Sequence, residues 1–313
     1  MYKLKQIPED FIVNEVTDIE LNPKGSYSYF VLKKRDYATP SAVEKIAKFL
    51  NIPVKKIGYA GAKDRRAVTT QLISVEGLPD KVKKFKDYLI ELKYKGRGDT
   101  AIYLGRLKGN NFEITIRNIK KKPKKISKFM NLFDEQRFSI NNVEIGKHLV
   151  KKDFRKAVEV LIGNNGHYEK QIKEYHEQTN NAINSLRKVP IHTLVFFIHA
   201  YQSEIWNQCA KKIAKDIYLP IIGFGTEFKN KKIKKIVESI MEKEGINYRD
   251  FIIKQMPELT FEGNSRRIYA KVKKLKIGKL ENDELNKGMK KVTLTFFLDK
   301  GCYATMAVRN MIF

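Results

Sequence analysis

The arrangement of apolar and polar positions divides the chain into strand-like ends and a helix-like middle. Apolar and polar residues alternate strictly over 112–117, which predicts a half-buried strand with Phe112 on its buried face. The same two-residue period returns over 292–298. The stretches 27–32 and 67–75 are rich in aromatic, Thr and Val residues, which also favours strands. Strand-forming sequence is therefore predicted toward both ends of the chain.

One amphipathic helix is predicted early in the chain. Its apolar residues follow the spacing i, i+3, i+4 and i+7, at Val43, Ile46, Ala47 and Leu50. Thr39 is predicted to cap the helix, with Pro40 in the first helical position. Asn51 and Pro53 are expected to end it.

From about residue 139 to residue 265 the apolar spacing becomes helical. One long helix is marked by Leu194, Phe197, Ile198, Tyr201, Ile205 and Cys209. The flanking segments 151–161 and 171–187 are also more helical than extended. The simplest organisation is a mixed domain built from both chain ends, with a helix-rich segment inserted after a basic hinge at 120–125.

The charge of the chain indicates a polyanionic partner. Lys and Arg number 62 against 35 Asp and Glu, which gives a formal net charge of +27. A membrane surface is the competing partner, but no apolar run approaches ~18 residues. The basic clusters 120–125, 229–235 and 271–275 also lack an apolar face long enough to lie in a bilayer. We therefore expect nucleic acid as the partner and no membrane association.

The sequence also predicts a cytoplasmic protein without metal or organic cofactor. No apolar segment of the kind found in signal peptides follows the first residues. Cys209 and Cys302 are far apart, and neither forms a CxxC pair. His176-Glu177 begins like a zinc motif, but position 180 is Asn.

The densest collection of reactive groups lies at 58–71, which reads Gly-Tyr-Ala-Gly-Ala-Lys-Asp-Arg-Arg-Ala-Val-Thr-Thr-Gln. Asp64 follows two glycines and is flanked by Lys63, Arg65 and Arg66, whose positive charges favour an ionised carboxylate at neutral pH. An ionised carboxylate suits a nucleophile or a general base rather than a general acid. The alternative role for Asp64 is that of a turn residue which hydrogen-bonds its own backbone.

Two other motifs are similar to parts of this segment but do not fit it. A phosphate-binding loop needs Lys directly after its second Gly and then a hydroxyl, whereas here Ala62 precedes Lys63 and Asp64 follows it. The GXXG clamp of KH modules joins two helices, whereas the sequence after Lys63 becomes strand-like. ATP use is therefore not expected.

The segment 58–71 resembles the signature of the TruD family of pseudouridine synthases, in which the Asp of the Gly-x-Lys-Asp turn is catalytic. Five further segments resemble other blocks of the family, in the family's order. They are Pro8–Phe11, Gly109–Phe112, Asn131–Phe138, Ala200–Asn207 and Lys300–Met306. The resemblance therefore covers most of the chain and implies that Asp64 is the catalytic residue.

This resemblance implies an α/β (α+β) fold, in which a pseudouridine synthase domain with a mixed, mainly antiparallel sheet is interrupted by an inserted helix-rich α+β domain. The catalytic domain would comprise 1–126 and 269–313, and the insertion 127–268. The implied activity is isomerisation of a uridine in structured RNA, at position 13 of tRNA, to pseudouridine. The expected protein is then a monomeric isomerase with tRNA as its partner.

The resemblance also implies roles for further residues. A uridine within folded RNA has to be flipped out, and an aromatic ring on the enzyme offsets part of the lost stacking. The implied substrate-binding residues are Lys5, Phe11, Lys63, Asn110, Phe112 and Tyr303. The three aromatic residues would stack on the base, Asn110 would hydrogen-bond the uracil edge, and Lys5 would lie near Asp64. For Phe11 and Phe112 the alternative is core packing, and for Phe112, on the buried face of its strand, that expectation is equally strong.

Several chemical routes and functions stay open at this point. Asp64 could add to C6 of the uracil, attack C1′ to form an ester, or remove the 2′ proton to give a glycal. A basic RNA-binding or RNA-chaperone module without catalysis is the alternative function, but it gains nothing from a carboxylate among cations. An RNA nuclease is a third possibility, but it would ordinarily use paired carboxylates with a metal, or two histidines, and the sequence shows neither arrangement.

Two segments between the chain ends are weaker candidates for RNA contact. Gln136, Arg137 and Phe138 are expected to fix the junction between the domains rather than to bind RNA. On the long predicted helix, Tyr201 is expected to be buried, with the neighbouring residues Gln202 and Ser203 free to meet RNA.

Overall fold

The computed structural model describes residues 1–77, 80–134, 141–164 and 167–312 of the chain. The chain divides into two compact units. The first consists of Met1–Phe129 and Ala270–Phe313, and the second of Met130–Tyr269. The second unit is therefore inserted within the sequence of the first.

The described strands are β1 (Phe11–Val16), β2 (Tyr27–Arg35), β3 (Ile57–Tyr59), β4 (Val68–Glu76), β5 (Ile90–Gly98), β6 (Gly109–Ile119), β7 (Lys128–Met130), β8 (Tyr218–Ile221), β9 (Asn264–Arg267), β10 (Tyr269–Lys271), β11 (Lys273–Ile277), β12 (Glu281–Asn282) and β13 (Lys290–Asp299). The described helices are α1 (Thr39–Leu50), α2 (Asn142–Val150), α3 (Phe154–Ile162), α4 (His167–Thr179), α5 (Ala182–Leu186), α6 (Ile191–Ile213), α7 (Lys231–Glu244) and α8 (Ala304–Ile312). Helices α2 to α7 belong to the second unit.

A sheet that has nine strands within the described residues forms the frame of the first unit. Its strand order is β11-β13-β6-β1-β4-β2-β5, with β12 beside β13 and β3 beside β4. The pairing of β1 with β4 is parallel, whereas β6 pairs antiparallel with both β1 and β13. The two alternating stretches of the sequence are neighbours in this sheet, with Phe112 opposite Phe296. The predicted mixed, mainly antiparallel sheet is therefore confirmed.

Helix α1 packs its apolar face against the strands of this unit. The residues of the predicted face are all buried, at Val43, Ile46, Ala47 and Leu50. They form one cluster with Leu32 of β2 and Ile73 of β4. Asn51 ends the helix in the left-handed conformation, with φ of 56°, which Asn tolerates better than most residues. This end of the helix is where the sequence predicts it.

The predicted cap of α1 is wrong by one residue. The helix begins at Thr39, and Ala38 occupies the cap position without a side-chain hydrogen bond. The Thr39 hydroxyl instead accepts a hydrogen bond from the Lys63 amide (3.0 Å) and donates to Gln71 Oε1 (2.9 Å). A hydroxyl expected to stabilise the helix therefore holds the segment that carries Asp64.

A buried ion-pair network joins the start of the chain to the segment that follows the second unit. Arg117 of β6 is 3% exposed, and its guanidinium contacts Asp10 (2.7 Å), Asp283 (2.9 Å) and Glu284 (3.0 Å). Burial alone would lower the pKa of Arg117, but the three carboxylates raise it above its ordinary value. Burial alone would raise the pKa of Asp283, but hydrogen bonds, first from the Asn118 amide, lower it to about 2.

Helix α6 lies at the centre of the second unit. The residues that predict it are buried, and the helix extends beyond them at both ends, over Ile191–Ile213. Trp206 is 1% exposed, and its indole N–H donates to the Leu219 carbonyl (3.1 Å). Helix α2 packs so closely on α6 that a Cβ on Gly146 would lie 2.0 Å from the Phe197 carbonyl oxygen. Only glycine fits at that contact.

The segment 171–187 contains the end of helix α4 and the whole of helix α5. Helix α4 ends at Thr179, and Asn180 takes a left-handed φ of 49°. Asn181 then caps α5 by accepting a hydrogen bond from the Asn184 amide (3.0 Å). Consecutive Asn residues favour this interruption because their short side chains hydrogen-bond nearby backbone. Among the described helices, none is both long and apolar enough to span a membrane.

Candidate active site

The turn that carries Asp64 lies between two paired strands. Strands β3 and β4 are antiparallel, with Ile57 opposite Val75. Strand β1 pairs with the beginning of β4, where Ile12 lies opposite Val68. Along one edge of β4, the first residues therefore pair with β1 and the last residues with β3. The turn that carries Asp64 connects β3 to β4 at this edge. A loop held by three strands is a suitable place for a reactive side chain that needs a fixed position.

Buried polar side chains from α1 and β4 fix the backbone of this turn. The Thr39 hydroxyl accepts a hydrogen bond from the Lys63 amide (3.0 Å). The Gln71 amide nitrogen donates to the Gly61 carbonyl (3.0 Å). Thr39 is 0% and Gln71 is 2% exposed, so both bonds come from side chains enclosed in the interior. The turn is thus positioned by the interior of the first unit.

Lys34 of β2, which the sequence pattern does not single out, contacts the same turn. Only 1% of this lysine is exposed, and its Nζ donates to the carbonyl oxygens of Asp64 (2.8 Å) and Lys63 (3.3 Å). Burial lowers the pKa of Lys34 to about 8, although the negative charge of Asp64 opposes the shift. Lys34 therefore holds the main chain at Asp64 and leaves the carboxylate itself available.

Lys63 pairs with Glu15 of β1. The two side chains are 8% and 1% exposed, so this ion pair is buried. The second carboxylate oxygen of Glu15 accepts a hydrogen bond from the Leu72 amide (3.3 Å). Removing either partner would leave an uncompensated buried charge. In this structure the ammonium of Lys63 thus stabilises the start of the turn, whereas the resemblance places Lys63 among the substrate-binding residues.

Lys5 forms the ion pair with the carboxylate of Asp64. Its Nζ lies 2.9 Å from Asp64 Oδ2, and the two side chains are 18% and 36% exposed. The same Nζ lies 4.2 Å from the centre of the Phe11 ring, which adds a cation–π contact. Asp64 is therefore reachable from solvent while one ammonium orients it. The structure brings together three residues that the resemblance places in one site.

The rings of Phe11 and Phe112 belong to a buried aromatic cluster. Phe11 is 2% and Phe112 is 8% exposed. The centroid of Phe112 lies 6.1 Å from that of Phe11 in an edge-on arrangement, and 5.5 Å from that of Phe296 in a stacked one. Because Phe11 also contacts Lys5, the cluster connects the Asp64 ion pair with the buried rings on β6 and β13. Phe112 thus has a packing role in addition to any contact with a ligand.

Replacing Phe112 by Ala is expected to lower the free energy of unfolding by about 3–5 kcal/mol, because a ring packed between two others leaves a cavity when it is removed. Urea denaturation followed by circular dichroism measures this loss. Phe112→Leu keeps most of the buried volume and should lose clearly less. A Phe112→Ala variant as stable as the parent would contradict the packing described here.

Asn110 offers a hydrogen-bond acceptor that has no partner among the described residues. It lies opposite Glu15 on the neighbouring strand and on the same face of β6 as Phe112. Its Oδ1 is buried and, within the part of the chain that the structure describes, accepts no hydrogen bond. Such an atom costs free energy until a donor reaches it, so a ligand N–H would be favoured there.

Tyr303 lies on the segment that joins β13 to α8. Leu298 of β13 is opposite Asn110, and the Lys300 amide then donates to the Lys108 carbonyl (3.1 Å). Tyr303 is partly exposed and accepts a hydrogen bond through its carbonyl at the start of α8. The segment that carries Tyr303 therefore begins at the same end of β6 as Asn110.

The chemistry available at this site is that of a reachable carboxylate with an ammonium beside it, a buried amide acceptor and apolar rings. Among the described residues, no group of three or more His, Cys, Asp or Glu is placed to hold a metal ion. The arrangement can supply a nucleophile or a base from Asp64, and the Asn110 Oδ1 can accept a hydrogen bond from an N–H donor.

The RNA contacts predicted on α6 are wrong. Gln202 is 3% and Ser203 is 1% exposed, so neither side chain is free at the surface. Gln202 Nε2 donates to the Ile222 carbonyl (2.6 Å), because α6 is enclosed and its polar residues satisfy internal groups. Tyr201 is 1% exposed, which confirms its predicted burial. The other weak candidate, Gln136–Phe138, lies outside the described residues.

Comparison with known proteins agrees with the resemblance over nearly the whole chain. A family model described as tRNA pseudouridine synthase D (TruD) matches residues 2–179 and 210–311. The chain is 31% identical to a Methanocaldococcus jannaschii protein named Probable tRNA pseudouridine synthase D 2, covering 98% of this chain and 91% of that protein. It is 27% identical to the tRNA pseudouridine synthase D of Aquifex aeolicus, covering 99% and 97%. A crystal structure of a Methanosarcina mazei protein, described as tRNA pseudouridine synthase D (TruD), matches with a TM-score of 0.71 at 26% identity, over 99% of this chain and 93% of that one.

Proposed function

The chain belongs to the TruD family of tRNA pseudouridine synthases, and from that premise we propose that it isomerises a uridine of tRNA to pseudouridine with Asp64 as the catalytic carboxylate. The observation that carries this proposal is the geometry at Asp64. Its main chain is held by the buried Lys34, whereas its side chain is partly exposed and paired with Lys5 at 2.9 Å. A fixed, reachable and charged carboxylate is what each open route for Asp64 requires.

The reaction breaks the bond between C1′ and N1 of the uridine and forms a bond between C1′ and C5. The hydrogen on C5 leaves as a proton, and N1 gains a proton, so the product is an isomer of the substrate. Addition to C6, attack on C1′ and removal of the 2′ proton all begin with an ionised Asp64. In the proposed site, Lys5 orients that carboxylate and the Asp64 turn stays fixed to the sheet.

The uracil ring would be received by the residues around Asn110. Its partnerless Oδ1 suits the N3–H of uracil, since a neutral amide oxygen accepts one N–H without introducing charge. We propose that Phe112 and Phe11 form the apolar floor and that Tyr303 contributes a ring from the segment after β13. Lys63 then acts through its buried pair with Glu15, as support for the turn.

Several finer statements belong to the same proposal. We propose position 13 of tRNA as the target, a monomer as the active form, the cytoplasm as the location, and a reaction that needs no metal or cofactor. The competing function, RNA binding without catalysis, would give RNA complexes but no product. The carboxylate held at Asp64 favours the enzyme over the binding module.

An unmodified tRNA transcript tests this proposal. The protein is incubated with the transcript in EDTA and without ATP, and pseudouridines are mapped by carbodiimide labelling and primer extension. One pseudouridine at position 13 is expected, and none in a matched transcript with cytidine at that position. A product at another uridine would refute the position, whereas no product at any uridine would refute the enzyme.

Lys34→Met is expected to slow pseudouridine formation by about 10²-fold, the loss typical when a reacting group is misplaced by ~1 Å. The reason is that the variant loses both hydrogen bonds to the main chain at Asp64 and Lys63. RNA affinity should change little, because Lys34 is 1% exposed. Single-turnover rates and dissociation constants separate the two effects.

The matched control for Lys34 is its neighbour Lys33. Its Nζ lies 3.9 Å from Glu91 Oε2 at the surface, and its side chain is 55% exposed. Lys33→Met should therefore leave the single-turnover rate unchanged. An unchanged rate in Lys34→Met as well would show that the turn keeps its position without the buried ammonium.

A further inference from the structure

Two large side chains stand exposed next to each other at the tip of a turn in the first unit. Tyr103 is 64% and Leu104 is 73% exposed. Single exposed apolar residues are common on protein surfaces, whereas two adjacent ones form a small continuous apolar surface that contact with another molecule would bury. We call these two residues the 103–104 tip.

The tip is rigid, so its exposure is imposed by the backbone. The Arg106 amide donates to the Tyr103 carbonyl (3.0 Å), and Gly105 has φ of +87°. A positive φ at the third residue is the mark of a type II turn and is the reason for glycine there. On the preceding side, Ile102 is 2% exposed, and its amide donates to the Ser74 hydroxyl (2.9 Å).

Hydrogen bonds tie this turn to the segments that carry the proposed active site. The Gly105 amide donates to the Ala60 carbonyl (2.8 Å), at the start of the turn that holds Asp64. The Gly105 carbonyl accepts from Lys300 Nζ (3.0 Å), on the segment that leads to Tyr303. A Cβ on Gly58 would lie 2.1 Å from the Ile102 carbonyl oxygen, so the backbones touch there as well. The tip therefore lies beside the proposed active site, and these contacts fix its position relative to the Asp64 turn.

The charges around the tip favour a nucleobase over a phosphate as its partner. The Arg106 guanidinium lies 5.6 Å from the centre of the Tyr103 ring and presents a positive charge beside it. The open cavity that the tip itself lines, however, is also lined by the carboxylates Asp18, Glu20 and Asp99 and by basic residues. Those carboxylates would repel a phosphate, whereas an apolar pair next to a guanidinium suits the flat face of a base.

We propose that Tyr103 and Leu104 pack against the bases that flank the target uridine and fill the gap left in the RNA stack when that uridine is turned out. This inference rests on the proposed function, because it assumes a uridine that leaves its stack to reach Asp64. Apolar side chains inserted between bases are a general way to stabilise unstacked nucleic acid. A rigid tip suits this task, since little chain entropy is lost on contact.

The test uses the variant Tyr103→Ser/Leu104→Ser and two tRNA transcripts. One transcript is intact, and in the other the nucleotides flanking the target uridine are abasic, so that no stack has to be opened. On the intact RNA the variant should react about tenfold more slowly or worse, as expected for one lost base stack. On the abasic RNA its rate should equal that of the parent. Equal rates on the intact RNA, or an equal loss on both RNAs, would overturn the proposal.

A fluorescence measurement separates this inference from the proposed function. 2-Aminopurine next to the target uridine reports local unstacking, and the Asp64→Asn background allows binding without chemistry. Binding should change the fluorescence, and the tip substitutions should abolish that change at saturating protein. A response independent of the tip would refute the tip's role even if product forms. A tip-dependent response without product in the parent would refute only the enzyme.

The control variant is Tyr218→Ser in β8 of the second unit. Tyr218 is 68% exposed, which matches the exposure of Tyr103. Its replacement removes an exposed tyrosine without touching the turn, and it should leave the fluorescence response and the rates unchanged. A loss equal to that of the tip variant would show that removal of exposed aromatic surface in general, rather than the 103–104 tip, causes the effect.

Discussion

Replacing Asp64 by Asn is expected to abolish pseudouridine formation, with a loss of roughly 10⁴-fold or more, as is typical when one catalytic group is removed. The amide has nearly the same shape as the carboxylate, but it can neither attack carbon nor accept a proton as a base. The fold should persist, because the interior contacts of the turn are made by its main chain through Lys34, Thr39 and Gln71. Chromatography of the digested nucleosides measures the product.

RNA affinity distinguishes loss of chemistry from loss of the site in this variant. Asp64→Asn removes a negative charge near the RNA phosphates, so binding should be as tight as in the parent or tighter. Asp216→Asn is the charge-matched control, because it also replaces one Asp by Asn but breaks an exposed ion pair with Arg267, at positions distant in sequence from Asp64. This control should keep full activity. Turnover by Asp64→Asn beyond that of trace deamidated protein would make Asp64 a turn residue only.

Replacing Arg117 by Met is expected to lower the free energy of unfolding by about 3–5 kcal/mol, the cost of breaking a buried ion pair from one side. The side chains of Asp10 and Asp283 are 2% and 0% exposed, so both would be left as buried charges without their partner. Urea denaturation at neutral pH measures the loss. Arg35→Met, which breaks a half-exposed pair with Glu9, should change stability little. Equal effects of the two substitutions would contradict a buried network.

The same network predicts the acid sensitivity of the protein. The pKa of Asp283 falls from its ordinary value of 3.8 to about 2 in the folded chain. A lowered pKa means that ionised Asp283 stabilises the fold above about pH 4, and that this stabilisation is lost as the pH falls toward 2. The urea midpoint of the parent should therefore drop over this range more steeply than that of Asp283→Asn. Parallel profiles would show that Asp283 does not contribute.

The elements with strong periodicity could be predicted from the sequence. Strands β6 and β13 and the helices α1 and α6 have apolar residues on one face, and each element was found where its pattern indicates. Helix ends depended on single side chains and were less predictable. Thr is a residue type that often caps helices, but the Thr39 hydroxyl is hydrogen-bonded to Lys63 and Gln71, which are distant in sequence.

The polar residues that support the site were harder to predict, although a signal existed. Lys34 lies two residues after Leu32 on β2, and Glu15 lies two residues after Val13 on β1, so each charged side chain is in phase with a buried apolar one. When a charged residue in a strand is considered without its neighbours, it suggests that this face of the strand is solvated. A charge that shares the face of buried residues instead indicates a buried hydrogen-bonding role.

Contacts between distant parts of the chain could not be derived from local pattern. The Lys5–Asp64 pair joins residues 59 positions apart, and only the resemblance to a family placed them together. Arg117 and Asp283 are 166 positions apart, with the whole second unit between them. The burial of Gln202 was missed because helical periodicity shows one face of α6, whereas the helix is enclosed by several neighbours.

Release of tritium from a tRNA transcript labelled at C5 of its uridines tests the central claim most directly. Formation of the C1′–C5 bond expels the C5 hydrogen, so each pseudouridine made releases one labelled proton to water. In EDTA and without ATP, the protein should release the tritium of one uridine per tRNA molecule and leave the RNA at full length. Under the same conditions, Asp64→Asn should release no tritium. Release no greater than in a protein-free blank, or cleavage of the RNA, would contradict the assignment of this chain as a pseudouridine synthase.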